Sequence, residues 1–312
     1  MLKLRAMLIA VIAAVTVAVA LPAAAGAALP VPYGSEALTD FAAAESLAPT
    51  IVPGANNWLC KPSAAHPYPV VLVHGTAEDE GSNWVSVAPL LANNGYCVYA
   101  FNYGETILSL FGRVDALNYI ENSAKELSSF VNTVLFFTGK SKVDIVGHSQ
   151  GGMMPNYYLK FLGGASKVNI MLGLAPSNHG TTLSGLTELL SKIPGAPILE
   201  KLVEYIGAPS LPQQEIGSPF ETHLFEGGDT VSGPRYVVIE TTHDEVVTPY
   251  TNAFLSGSAV TNITIQNQCP SDPTEHIGIT EDSPALQNML NQLSSSPNQS
   301  FKATCSNYGV GI

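Results

Sequence analysis

Val143-Asp-Ile-Val-Gly-His-Ser-Gln-Gly-Gly-Met153 is the stretch on which the fold turns. An apolar run, Val143 to Val146, meets a Gly-x-Ser-x-Gly pentapeptide, Gly147 to Gly151, and a helix-like segment follows to about Leu162. Strand, sharp turn and helix form the context of a nucleophile elbow, in which a serine at the tip of a strained turn lifts its hydroxyl clear of the backbone. Glycines two residues either side let strand and helix approach closely. The bland alternative is a strand-to-helix turn with a serine N-cap. Everything else in the chain is read by whether it serves Ser149.

Outward from the elbow, short apolar strands alternate with helices. Pro69 to Val73 is the first clear strand, ending in His74-Gly75-Thr76 and an acidic loop, Glu78 to Glu80. A helix over about Trp84–Asn93 leads to a second strand, Tyr96 to Asn102. Apolar residues at helical spacing predict a long helix over Val114–Phe137. Strands at Val143–Val146, Val168–Leu172, Arg235–Glu240 and Thr261–Gln266 follow, and a final helix covers about Pro284–Leu293. The alternation predicts an α/β fold with a mostly parallel six-stranded sheet and helices on both faces. Residues 179–232 break the pattern with two apolar clusters, 183–193 and 198–206. They predict two short amphipathic helices inserted above the sheet as a cap, because the insertion is far longer than an ordinary loop.

A serine hydroxyl needs a base to take its proton, and the base needs a carboxylate to hold its tautomer. In sheets that carry such an elbow, these follow in chain order as serine, acid and histidine. Asp244, in the loop leaving the strand Arg235–Glu240, is best placed as the acid; Glu245, Asp229 and Glu240 compete. His276 is the only histidine after Asp244 and so is selected as the base. The oxyanion hole needs two backbone N–H groups, one from the residue after the nucleophile, Gln150, and one from the loop after the first strand, Thr76. The remaining histidines take blander readings. His66 is expected at the surface, His148 as a packing or hydrogen-bonding neighbour, His179 and His223 in the cap, and His243 beside the acid but pointing away.

Composition narrows the classes. The chain has 312 residues and a formal net charge of −12 without a basic patch, which argues against nucleic acid as a partner. Lys3 and Arg5, an apolar run from Leu8 to Leu21 and small residues at 23–27 read as a secretory signal peptide over residues 1–28, rather than a retained anchor. Residues 29–312 are then one domain. Residues 29–68 read as an arm over the surface, with a short helix near Thr39–Leu47. No later stretch is long enough to cross a bilayer. Four cysteines, Cys60, Cys97, Cys269 and Cys305, lie in the exported part. An even count there points to two disulfides, with three connectivities possible. Cys60–Cys97 and Cys269–Cys305 are favoured, the first joining two neighbouring strands and the second stapling the C-terminal tail. No metal-ligand motif occurs, so no metal or cofactor is expected. The sequence sets no oligomeric state.

Several separate motifs, in order, resemble one family. They are Pro69 to Gly75, Asn83-Trp84, Gly147 to Gly151, Ala175-Pro-Ser-Asn-His-Gly-Thr-Thr-Leu183, Gly227-Gly-Asp-Thr230, Asp244-Glu-Val-Val-Thr-Pro249 and Glu275-His-Ile-Gly278. The chain resembles the secreted bacterial class 2 triacylglycerol lipases, particularly actinobacterial ones, over most of residues 55–306. The resemblance implies the α/β-hydrolase fold, Ser149, Asp244 and His276 as catalytic triad, Thr76 and Gln150 as oxyanion donors, and an ester or lipid substrate met at an interface. Minimal lipases of this group lack a cap, which leaves chain-length preference open. A short-chain esterase or polyesterase is the alternative, and a non-catalytic binding protein on the same scaffold a more remote one.

Overall fold

A computed structural model describes residues 27–37, 50–109, 112–182, 184–185 and 207–310. Its centre is a six-stranded sheet in which all pairings are parallel. The strands are β1 (Val70–Val73), β2 (Val98–Ala100), β3 (Val143–His148), β4 (Val168–Leu174), β5 (Arg235–Glu240) and β6 (Val260–Thr264). Their order is β2-β1-β3-β4-β5-β6. The chain therefore starts inside the sheet, steps outward to β2, then returns to the other side of β1. That reversal opens a crevice beyond the carboxyl ends of β1 and β3, where ligands bind in open α/β sheets. Thr76 follows β1 and Ser149 follows β3, so both predicted site residues lie at this switch point.

Alternation along the strands feeds two cores. Val71, Val73, Ile145, Met171, Tyr236 and Val238 face one side. There they meet α3 (Ile120–Thr138), α4 (Gln150–Phe161) and α6 (Pro219–Phe225) through Leu127, Met153, Met154 and Phe220. Val70, Leu72, Val146, Leu172, Val237 and Ile239 face the other, against α2 (Val87–Asn93) and α7 (Ser283–Leu293). β1 reads as an unbroken apolar run, Val70 to Val73, because both of its faces are covered.

Several boundaries differ from expectation. The helix predicted from Val114 starts at Ile120. Val114 to Tyr119 is irregular because Ala116 takes a positive φ of 58° and donates to the Tyr103 carbonyl at 2.7 Å. Leu117 entered the helical pattern only because it lies three residues before Ile120; it packs instead with Ala77 and Val246. The helix expected from Trp84 begins at Val87 as α2, and a separate short helix, α1 (Glu80–Asn83), capped by Asp79, precedes it. The second strand is shorter than Tyr96–Asn102, and the sixth ends at Thr264 in a 3-10 turn, Ile265–Asn267. Residues 1–26 of the leader, the helix near Thr39–Leu47 and the apolar clusters at 183–193 and 198–206 lie outside the described residues, apart from Ser184 and Gly185. The described remainder of the predicted cap carries α5 (Ser210–Gln213) and α6. Among the described residues no helix is long and apolar enough to cross a membrane.

Covalent and polar ties close the periphery. Cys60–Cys97 joins the lead-in of β1 to the lead-in of β2, and Cys269–Cys305 fastens the C-terminal tail. The tail then lies against the start of α7, where Gly309 N–H donates to Asp282 Oδ1 at 3.1 Å and Ser283 N–H to the Asn307 carbonyl at 3.1 Å. The N-terminal arm is pinned to α2, with Asn93 exchanging two 2.8 Å hydrogen bonds with Leu29.

The disulfides close loops spanning 37 and 36 residues. Replacing Cys60 and Cys97 by serine is expected to lower unfolding free energy by about 3–4 kcal/mol, as measured by denaturant titration. Buried carboxyls predict a pH trend as well. Burial pushes Asp144, Asp282, Glu80 and Asp115 each up to about 7. Between the ordinary carboxyl range and about 7, the folded chain holds protons that the unfolded chain has released, so stability falls as pH rises. Burial lowers His74 to about 4, which acts in the opposite direction below neutrality, but it is one group against several. The melting temperature is expected to fall between about pH 5 and about pH 8.

Candidate active site

Ser149 occupies the turn between β3 and α4 with φ 53° and ψ −123°, a conformation that L-residues rarely adopt. The surroundings hold it there. Its N–H donates to the Leu174 carbonyl at 3.0 Å, and its own carbonyl accepts from Gly152 and Ser177. A Cβ on Gly151 would run into the Val73 and His74 carbonyls, and one on Gly147 into the Gly151 carbonyl. The two glycines are thus required by contact between backbones.

Two loops complete the site. The loop after β5 brings Asp244, and the loop after the Ile265–Asn267 turn brings His276. His276 Nε2 lies 3.0 Å from Ser149 Oγ, and His276 Nδ1 lies 2.8 Å from Asp244 Oδ2. All three side chains are buried. The carboxylate can only accept, so it places the imidazole proton on Nδ1 and leaves Nε2 free to take the serine proton. Asp244 is itself oriented, since its Oδ1 accepts from Val246 and Val247 N–H at 2.9 and 2.7 Å. Burial alone would push His276 down. Asp244, with Glu245 and Glu275 behind it, more than offsets this and holds the imidazole above its usual range.

The competing carboxylates take other places. Glu240 is fully buried beside Asp244, and burial together with that neighbour keeps it well above the usual carboxyl range. Glu245 Oε2 accepts from the His276 backbone N–H at 3.4 Å. Asp229 accepts from the Ser256 N–H and hydroxyl. Glu275 is raised to about 7 by burial and by its hydrogen bond with Glu245.

The backbone N–H groups of Thr76 and Gln150 have no protein acceptor among the described residues. Their side chains are tied together, with Gln150 Nε2 donating to Thr76 Oγ1 at 2.9 Å and to the Ala116 carbonyl at 3.0 Å. Gln214 Nε2 donates to the same Thr76 oxygen at 3.0 Å, while Ser177 donates to Gln214 Oε1. Sequence reasoning missed Gln214, which carries no motif and reaches the site from the predicted cap. Beside this loop Ala77, Val114, Leu117, Ala208, Leu211 and Val246 form an apolar cluster.

The other histidines divide clearly. His243 is exposed. His179 lies against Phe225 between Glu221 and Asp229, and His223 stacks on Phe161. His66, expected at the surface, is half-buried and packs against Tyr96. His148 is buried within hydrogen-bonding distance of Glu78 and of the His276 carbonyl. Among the described residues no group of side chains has the composition and geometry of a metal site.

With this geometry in view, comparison with known proteins gives a consistent answer. The model of the family described as Lipase (class 2) matches residues 67–288, and the chain belongs to that family. It is 38% identical over 99 residues to a triacylglycerol lipase of Pseudarthrobacter phenanthrenivorans, covering 30% of this chain and 28% of the relative. It is also 38% identical over 99 residues to one from Burkholderia plantarii, covering 30% and 25%. The matched part thus spans only about a quarter of either relative. A crystal structure of Aspergillus fumigatus lipase B superimposes with a TM-score of 0.62 at 22% identity, over 79% of this chain and 56% of that one, and so shares the fold.

The carboxylates around His276 predict the pH dependence of Ser149. With His276 as the expected base, inactivation by a serine-directed phosphonate needs the neutral imidazole, so its rate should rise with an apparent pKa above the ordinary histidine value of 6.5. Asp244→Asn should slow that inactivation on the order of 10⁴-fold. A rate that is flat across this range would contradict the assignment of His276.

Proposed function

We propose that this class 2 family member is a secreted serine carboxylic-ester hydrolase acting on triacylglycerols. The observation that carries the reading is the continuous contact from Ser149 Oγ through His276 to Asp244, at 3.0 and 2.8 Å.

In the proposed reaction Ser149 Oγ attacks the ester carbonyl as His276 Nε2 takes its proton. Asp244 stabilises the imidazolium that forms, and Thr76 and Gln150 N–H groups receive the oxyanion. Collapse of the tetrahedral intermediate expels the alcohol, which takes the proton back from His276 and leaves an acyl-enzyme. Water then repeats the cycle, with His276 again as base, and releases the fatty acid and Ser149. The acyl chain is placed against the apolar cluster of Ala77, Val114, Leu117, Leu211 and Val246, which adjoins both the oxyanion loop and the acid loop. No cofactor is invoked.

Secretion rests on the basic, apolar and small-residue pattern of residues 1–28, and the two disulfides fit an oxidising compartment. Residues 29–312 are taken as a single catalytic domain with residues 179–232 as its cap.

The test is hydrolysis of p-nitrophenyl esters from C2 to C16 and of an emulsified triglyceride, wild type beside Ser149→Ala. Turnover of long chains and triglyceride is expected, with a loss on the order of 10⁴-fold or more in the variant. Turnover confined to short chains would replace the lipase by an esterase, and activity that survives in the variant would remove Ser149 from the reaction.

A further inference from the structure

The chemistry above leaves a second buried histidine–carboxylate pair without a role. His148, the last residue of β3, directs its two ring nitrogens to different loops. Nδ1 lies 3.0 Å from Glu78 Oε2, and Nε2 lies 3.1 Å from the His276 carbonyl. Glu78 Oε2 also accepts the Gly75 N–H at 3.0 Å, and Asn83 Oδ1 accepts the same N–H at 3.1 Å. Asn83 Nδ2 sits 3.1 Å from His148 Nδ1. Both partners are buried, and the His148 and His276 ring centroids are 5.0 Å apart. One line of hydrogen bonds thus runs from the backbone just before Thr76, through Glu78 and His148, to the backbone of His276.

Donor and acceptor chemistry places the protons along that line. A carbonyl only accepts, so His148 Nε2 carries a hydrogen. A second proton must lie between Nδ1 and Glu78 Oε2, since two lone pairs would otherwise face each other at 3.0 Å. The pair therefore has no net charge, which suits a buried position. Packing is tight enough to fix its geometry: a Cβ on Gly75 would meet Glu78 Oε2, His148 Nδ1 and Ser149 Cβ.

We propose that Glu78 and His148 are positioning residues, a buried dyad that holds the backbone of His276 at a fixed spacing from the oxyanion loop. The proposal rests on the triad reading. Other titratable groups face the two histidines. His74 on the oxyanion loop is kept neutral by burial, which lowers it to about 4, and it stacks against Tyr103. Asp244, Glu245 and Glu275 flank His276, with Glu240 behind Asp244. Glu245 also bonds the His276 backbone, through its N–H. His148 bonds the carbonyl on the opposite side of the same residue.

The experiment compares Glu78→Ala, His148→Ala, Glu78→Gln and Glu78→Asp with wild type. It measures kcat and KM per active site counted by phosphonate titration, so that loss of folded protein does not register. The alanine variants should lose kcat on the order of tenfold to a hundredfold at a KM within about twofold. Glu78→Gln should recover most of that loss, because its amide donates to His148 Nδ1 while Asn83 still accepts from Gly75. Glu78→Asp, one methylene too short to reach His148, should not. If the alanine variants do not fold, the contrast between the Gln and Asp variants decides alone. Wild-type kcat per site in the alanine or Asp variants, or a Gln variant as impaired as the Asp variant, would overturn the proposal while leaving the triad intact. A wild-type chain with no titratable serine would instead overturn the triad reading itself.

Discussion

The site depends on a contact between backbones. Gly151 packs directly on the carbonyls at the end of β1, and Gly147 packs on Gly151, so α4 starts hard against the sheet. That approach forces Ser149 into φ 53° and ψ −123°, and the bonds from Leu174, Gly152 and Ser177 keep it there. Strain of this kind costs on the order of 1–3 kcal/mol and persists only where the surrounding fold over-determines it. Here a parallel sheet covered on both faces does so. The same packing brings the loop after β1 alongside Ser149, which is why Thr76 and Gln150 come from different elements and still meet.

Electrostatics then shapes what the turn presents. Carboxylates outnumber cations around His276, and Asp244 is the one in contact with the ring. Glu240 and Glu275 are pushed upward by burial and by their acidic neighbours, so they add less negative charge than their number suggests. On the other side, burial raises Glu78, yet His148 and His74 more than offset this and leave it below the usual range. The proposed base, His276, therefore sits between an acidic loop that favours its protonated form and a paired, net-neutral dyad that bonds its backbone.

What the sequence made legible follows the range of the interactions. The elbow was readable because its glycines, serine and flanking apolar run are local in the chain. Asp244 and His276 were selected by chain order after β5 and β6, and the structure brings His276 to Ser149 and Asp244 to His276. The start of α3 was misplaced because Leu117 fits a helical period while Ala116 turns out of it to bond Tyr103. Gln214 and the Glu78–His148 pair were not readable as site elements. Their partners lie 138 and 70 residues away, and no local spacing records such contacts. The contact of His66 with Tyr96 was unreadable for the same reason, since Tyr96 comes from the segment leading into a neighbouring strand.

The proposed chemistry depends on Ser149 as the activated nucleophile of this chain. The most direct measurement is intact-protein and peptide mass spectrometry after treatment with a serine-directed phosphonate, wild type beside His276→Ala. One adduct per chain, on the peptide containing Ser149 and absent from the variant, is the predicted result. An adduct on another residue, or none in the folded wild-type protein, would contradict it.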